Sequence, residues 1–374
     1  MSEERTHTAE AFPYGIEPEI PVDEGTEDDR GADTVNRLLL HGARYHDRDG
    51  VFTRWEQGRK GWAWTPMPDW RADRHAIRLA LVLHQRMGIE ANEALAMWLP
   101  FDLEWPAIER AIWSIGALSV PVYPEWNLDR VSEVLHEAAP AALFAPDADT
   151  FRELKAMGGV PDSVRATILM RGSADEFEEE ALAYDRFMDY GGVLDTPERA
   201  SMWRTAVREA RPDKRISWEY EWNDSGLRRS VISQGGMAQT VEHILGRVPP
   251  RKGRVQLIVG DRPDRIARAL VFAGWADGLT TTAFVLTPAA GERAAELAPG
   301  LLAGRAESLE GLLEALARGA AGPDGNGSSA AEDSTWVCVT DRVGSMELGS
   351  DNVASGRSLS FLDVTEFDSL LTEE

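Results

Sequence analysis

The chain has 374 residues, room for two or three domains with a sizeable buried core. Hydrophobic residues make up 43% and charged residues 27%, with one Cys, which excludes a disordered bulk, an internal disulfide framework and a Cys/His zinc cluster. The net charge of −24 argues against nucleic acid or an anionic membrane as partner, since no local basic patch offsets it. No apolar run approaches the ~18 residues of a membrane span. The start Met1-Ser2-Glu3-Glu4-Arg5 lacks the basic and apolar regions of a secretory signal, so a soluble cytoplasmic protein is expected. Only four basic residues are Lys, against 35 Arg; this fits a salt-rich source or arginine-biased coding.

Residues 1–33 hold eleven acids and two arginines, a net −9, and too few large apolar side chains to bury. They read as an acidic disordered tail. Asp33-Thr34 can cap a helix through Leu38, Leu39 and Leu40, and Val51 to Trp64 reads as a hairpin turning at 57–61. Ala76, Leu79, Ala80, Leu83 and Met87 mark a helix stopped by Gly88. Then come a strand over 94–99, a helix over 103–115, a strand over 118–122, a helix capped by Asn127, a strand over 141–144, a helix over 149–157 and a strand over 165–170. Continuously apolar strands separated by single helices predict a parallel sheet covered on both faces.

Beyond residue 172 the rhythm breaks. The acidic run from Asp175 to Glu180 reads as a solvated helix face, because its carboxylates are contiguous rather than convergent. Thr196-Pro197-Glu198 starts a helix to about Ala210. Alternation returns with strands over 215–221 and 229–233, a helix over 237–245, a strand over 254–259, a helix over 264–273 and a strand over 280–286, then a helical stretch to Arg318. The expected organisation is therefore tail 1–33, first α/β lobe 34–171, second α/β lobe 172–318, flexible Gly/Ser-rich linker 319–334, and a short tail 335–374 with a strand at 335–340 and a helix at 360–371.

The segment Leu99-Pro100-Phe101-Asp102-Leu103-Glu104-Trp105-Pro106, followed by Ile115-Gly116-Ala117-Leu118-Ser119-Val120-Pro121-Val122-Tyr123-Pro124, resembles the N-terminal domain of AMP-forming acyl-CoA synthetases, in feel the long-chain fatty acid branch. Thr34-Val35-Asn36, 41–48 and 139–145 match further segments of that family. The resemblance covers roughly 31–318 and implies two doubly wound α/β lobes and ATP-dependent adenylation. It also implies a phosphate loop of the form Y-T-S-G-T-T-G-x-P-K-G-V after R-P-D-D. Here Arg211-Pro212-Asp213-Lys214 is followed at the same spacing by Tyr220-Glu221-Trp222-Asn223-Asp224-Ser225-Gly226-Leu227-Arg228-Arg229-Ser230-Val231. Only Ser225 and Gly226 keep their class, with Arg229 at the Lys position beside Arg228; these four are the candidate nucleotide-binding residues.

A working loop lets bare backbone N–H groups wrap phosphate. Glu221 and Asp224 would set two negative charges beside it, each costing on the order of 4 kcal/mol at ~4 Å and an effective dielectric of ~20; Arg228 and Arg229 offset part of that. The family's PLAH-type segment is replaced by Gly260-Asp261-Arg262-Pro263-Asp264, and its Y-G-x-T-E and T-G-D motifs and C-terminal domain with catalytic Lys find no counterpart before Glu374. No catalytic residue and no metal ligand emerge elsewhere: His41 and His46 do not share a helix face, and Cys338 sits in an apolar strand. The clustered Trp55, Trp62, Trp64 and Trp70 read mainly as core, with a contact surface as the lesser reading.

The expected function is thus a non-catalytic synthetase-like interaction or regulatory subunit without cofactor, paired with a protein partner such as a complete acyl-CoA synthetase. The alternatives are a divergent ATP- and Mg-dependent acyl-CoA ligase completed by a partner chain, and an acyl-chain binder using the vestigial pocket.

Overall fold

In a computed structural model of the chain, the described residues are 33–45, 51–58, 61–67, 69–177, 180–223, 226–247, 255–259, 265–277, 281–285, 299–304, 336–340 and 359–363, with a few isolated positions between 290 and 297. The expected tail before Asp33 and the linker at 319–334 lie outside them. Helix α1 (Val35–Tyr45) starts where expected, and the Arg37 N–H reaches the Thr34 hydroxyl at 3.4 Å. Strands β1 (Phe52–Gly58) and β2 (Gly61–Met67) form the hairpin, and α2 (Asp69–Leu81) widens into a π turn over Val82–Arg86 before Gly88, whose φ of +64° suits glycine.

Strand β3 (Ala94–Trp98), α3 (Trp105–Ser114), β4 (Leu118–Val122), α4 (Leu128–Ala138), β5 (Ala142–Ala145), α5 (Ala148–Ala156) and β6 (Ala166–Leu169) follow as the pattern predicts. Asn127 and Asp147 cap α4 and α5 by accepting from Arg130 N at 3.0 Å and Thr150 N at 2.8 Å. Of the acidic run, Asp175–Phe177 forms a 3-10 turn rather than the expected helix face, and Glu178 and Glu179 lie outside the described residues; Glu180 pairs with Lys155 and leads into β7 (Ala181–Ala183). Helices α6 (Tyr184–Leu194) and α7 (Pro197–Arg208) come next, then β8 (Arg215–Asn223), β9 (Gly226–Ser233), α8 (Gln234–Arg247), β10 (Val255–Val259), α9 (Arg265–Asp277) and β11 (Thr281–Val285).

Two expectations are corrected downstream. The stretch read as helical to Arg318 contains strand β12 (Pro299–Gly304), and the terminal segment read as a helix over 360–371 contains strand β14 (Leu359–Asp363), parallel to β13 (Trp336–Thr340). Both obey their parallel neighbours: β12 pairs with β10 and β13, so ladder hydrogen bonds override weak local preference.

The strands build two seven-stranded sheets, ordered β14-β13-β12-β10-β11-β1-β2 and β7-β6-β5-β3-β4-β8-β9. Each is parallel except for a hairpin at one edge, β1–β2 in the first and β8–β9 in the second. The expected division at 171/172 does not separate them: the early hairpin joins the late strands, and β8–β9 join the sheet begun at β3. Local periodicity reports an element's type but not its neighbour in space.

The core follows from period-two alternation. Leu95 and Met97 turn to a core shared with Phe52, Ile258 and residues of α1, α2, α3, α7, α8 and α9, so these helices lie between the two sheets. Ala94, Ala96 and Trp98 turn the other way, onto α4 and α5 through Val131, Leu135, Phe151 and Leu154. Every residue of α3 is buried.

Candidate functional site

Ligands of open α/β sheets bind outside the carboxyl ends of the strands, where consecutive crossovers pass to opposite faces. That condition is met between β3 and β4, since α3 packs on the inner face and α4 on the outer. The loop leaving β4 carries Tyr123 and Trp126, both buried, with ring centroids 4.6 Å apart. Trp222, near the tip of the β8–β9 hairpin, meets Trp126 edge-on at 4.7 Å and 87°, and Arg130 of α4 lies over the Trp222 ring at 5.2 Å. The hairpin tip is therefore fastened across the loop after β4 by an indole.

From Ser217 to the tip the register of the hairpin is unbroken: Glu219↔Ser230, Tyr220↔Arg229, Glu221↔Arg228, Trp222↔Leu227 and Asn223↔Gly226 are paired. Antiparallel pairing commits alternate backbone N–H groups on each strand to the opposite carbonyls. Gly226 has φ +107°, a conformation costly for any other residue. Ser225 and Asp224 lie outside the described residues.

Arg228 and Arg229 fall on opposite faces of β9, so the structure does not bring the two predicted phosphate ligands together. Arg229 faces outward, 4.7 Å from the Trp218 ring and 3.7 Å from Glu137 of α4. Arg228 is exposed, directly opposite Glu221. Burial raises the pKa of the Tyr220 phenol, on the same outward face.

The inward face of the hairpin ends in a buried charge cluster that sequence reading missed. Arg268 of α9 places NH1 2.5 Å from Glu219 Oε1, NH2 2.6 Å from Glu109 Oε1 and 3.1 Å from Ser217 Oγ, and Nε 3.1 Å from Glu109 Oε2. Glu109 of α3 also accepts from Ser119 Oγ at 2.8 Å and Trp105 Nε1 at 3.2 Å. Arg265 closes the cluster, donating to Glu219 Oε2 at 2.9 Å and Ser230 Oγ at 3.0 Å. Side chains of Glu109 and Arg268 are wholly buried. Burial alone would lower the Arg268 pKa, but Glu109 and Glu219 outweigh it and hold the guanidinium charged. Two carboxylates meet two guanidiniums, so the cluster is neutral overall. Both arginines are engaged by protein carboxylates.

A signal for these residues was present. Helix α3, Trp-Pro-Ala-Ile-Glu-Arg-Ala-Ile-Trp-Ser, is apolar at all positions but Glu109, Arg110 and Ser114, a composition that marks a buried helix; Glu109 and Arg110 on it then require partners. Arg110 NH2 indeed lies 2.7 Å from Asp73 Oδ1. Of two shallow depressions, one of about 450 Å³ lies at the amino ends of β3 and β5 beside Arg165, and one of about 470 Å³ lies on the outward face of the hairpin itself, between α4 and β9, lined by Tyr220, Leu227, Arg229 and Glu137. Among the described residues, no group of three His, Cys, Asp or Glu is placed to hold a metal ion.

Comparison with known proteins bears on this geometry. Residues 71–212 match the family of AMP-binding enzymes. The computed structure superposes on a fatty acyl-CoA synthetase of Mycobacterium tuberculosis with TM-score 0.63 at 14% identity, covering 82% of this chain and 55% of that one. The fold is that of an adenylating enzyme's N-terminal domain. A long-chain-fatty-acid-CoA ligase structure from Rhodopseudomonas palustris, itself described as putative, shares this adenylating fold with TM-score 0.61 at 17% identity, covering 82% of this chain and 69% of that one. In sequence, long-chain-fatty-acid–CoA ligase FadD15 of Mycobacterium bovis is 24% identical over 208 residues, 54% of this chain and 33% of the ligase, and the M. tuberculosis FadD15 matches equally. The chain thus spans about a third of the length of the curated relatives it matches. Among the described residues no helix is long and apolar enough to cross a membrane.

Proposed function

We propose that this chain uses the adenylating fold as a non-catalytic body, a cytoplasmic interaction or regulatory subunit that does not form acyl adenylates. The observation that carries this reading is the β8–β9 ladder, paired through Asn223↔Gly226 at the place where the resemblance puts the phosphate loop. A triphosphate needs free, convergent N–H groups; here the ladder engages alternate ones, Trp222 packs against Trp126 beside the tip, and Arg265 and Arg268 are held by carboxylates. Glu221 opposite Arg228 adds a negative charge near the same tip. On this reading the hairpin holds no ATP or Mg, and a partner protein, for instance a complete acyl-CoA synthetase, would supply any chemistry.

The test is ATP–pyrophosphate exchange with a series of medium- and long-chain fatty acids. Exchange should stay at the enzyme-free level; a clear acid-dependent rise would refute the proposal. A second reading, a divergent acyl-CoA ligase completed by a partner chain, is favoured by the AMP-binding match over residues 71–212, which stops short of the hairpin. It requires Ser225, Arg228 and Arg229 to converge on phosphate after the tip opens. Stabilisation by ATP or an acyl-adenylate analogue in a thermal shift, with and without the partner, supports it; no shift at saturating ligand removes it.

A further inference from the structure

The outer face of the β1–β2 hairpin takes no part in the site above. Trp55 lies opposite Trp64 and Gln57 opposite Trp62, so the three tryptophans share one face, while Phe52 and Met67 turn from the other face into the core. The Trp55 and Trp62 rings stack at 6.4 Å and 15°, and Trp64 meets Trp55 edge-on at 5.5 Å. Trp64 is fixed by its Nε1–H bond to the Arg293 carbonyl at 3.3 Å. Trp62 is 58% exposed, Pro66 follows on the same face, also exposed, and β2 is the edge strand of its sheet.

Stacked indoles on an antiparallel ribbon suit one class of ligand. Proline rings lie flat on aromatic faces, and a polyproline II strand has little conformational entropy left to lose on docking. Charge narrows the class: Arg54 and Glu56 alternate to the other face and cancel, and the sequence joining β1 to β2 holds Arg59 and Lys60, a local +2 on a chain of −24. An acidic, proline-containing strand is complementary. This chain carries one at Pro13-Tyr14-Gly15-Ile16-Glu17-Pro18-Glu19-Ile20-Pro21-Val22-Asp23-Glu24, with Pro18 and Pro21 at the P-x-x-P spacing, four acids and no base. Tethering raises the effective concentration of such a segment to the millimolar range, so a face too weak for a free peptide can still be filled.

We propose that residues 13–24 dock in cis on the Trp55–Trp62 face as a polyproline II strand, so that an outside partner of this face must be a proline-containing acidic segment able to displace them. The test uses the full chain with a photo-cross-linker at the exposed position opposite Trp62, Gln57→p-benzoylphenylalanine, in an equal mixture of isotopically heavy and light protein. Cross-links should fall within residues 13–24 of the same chain. Their yield should drop by about five-fold or more in Pro18→Ala/Pro21→Ala and, separately, in Trp62→Ser, since ring stacking is what each removes. Trp62 is exposed, so its variant keeps the fold, and circular dichroism checks the fold of each variant. Heavy–light cross-links, cross-links elsewhere, or a yield unchanged by both variants would overturn the proposal.

Discussion

Arg268→Met is the perturbation that bears most directly on how the two sheets are held together. Methionine keeps much of the volume but leaves Glu109 with only Ser119 and Trp105 as partners, and Glu219 with Arg265. Removing one member of a buried ion pair costs about 3–5 kcal/mol, because the stranded charge stays desolvated. Equilibrium urea unfolding at pH 7 should therefore show a loss of that order. The stranded Glu109 would have its pKa raised in the fold above the unfolded value, so the folded variant binds more protons. Its stability should then rise as pH falls from 7 towards 5. Adding Glu109→Gln to Arg268→Met should restore part of the loss, since the uncompensated charge disappears. A loss below ~1 kcal/mol, or one that neither low pH nor Glu109→Gln relieves, would mean that packing rather than charge pairing holds this layer.

Other consequences follow from single positions. Gly42→Ala would place a Cβ 2.3 Å from the Trp275 carbonyl oxygen and 2.9 Å from the Ala276 Cα. The α1–α9 contact must open, costing about 1–3 kcal/mol, which a lowered Tm would show. Trp222→Ala removes the edge-on contact with Trp126 and should speed amide exchange across 219–230 by roughly ten-fold, the equivalent of ~1.4 kcal/mol; unchanged exchange would mean the ladder alone holds the tip. Asn127→Ala deletes the α4 cap and should cost ~1 kcal/mol in chemical unfolding. His75, bonded to the Tyr184 hydroxyl at 2.7 Å, has its pKa lowered to about 4 by burial and by Arg71 and Arg78. It is neutral in the fold, so its contribution is full above pH 6.5 and declines, by up to about 3 kcal/mol, as pH falls towards 4. His75→Phe should flatten the acid side of the stability–pH profile by about one proton.

Much of the fold was legible in the sequence wherever caps and periodicity agree. Asn127, Thr196-Pro197 and Gly116 mark helix ends that the structure keeps, and the apolar runs of β3 and β4 are buried on both faces as continuous strands require. Strand β12, Pro-Gly-Leu-Leu-Ala-Gly, was hidden by two glycines and a proline that signal a turn, and β14 is five residues long with only two positions of alternation. Both exist because a parallel neighbour completes their hydrogen bonds.

The hairpin at 215–233 was legible as an element in the place of the phosphate loop, and its bulky composition was legible as a departure from that loop. The destination of its side chains was not, because the contacts Trp126–Trp222, Glu219–Arg268 and Glu109–Arg268 join residues 49 to 159 apart in sequence and form only once the helices have been laid between the sheets.

The interleaving of the two sheets has a consequence for biosynthesis. Strand β1 pairs with β11, Phe52 beside Thr282, so during synthesis the β1–β2 hairpin waits for a neighbour some 230 residues later. At ~5–20 residues per second that is on the order of 10–50 s. Meanwhile the β3–β9 sheet, whose strands all lie between residues 94 and 233, is finished first and offers the helices a surface to settle on. The late strands then close the other sheet over them. During that interval a tryptophan-lined hairpin edge stands open on the nascent chain, and a chaperone binding there would shield the step on which completion of the molecule depends.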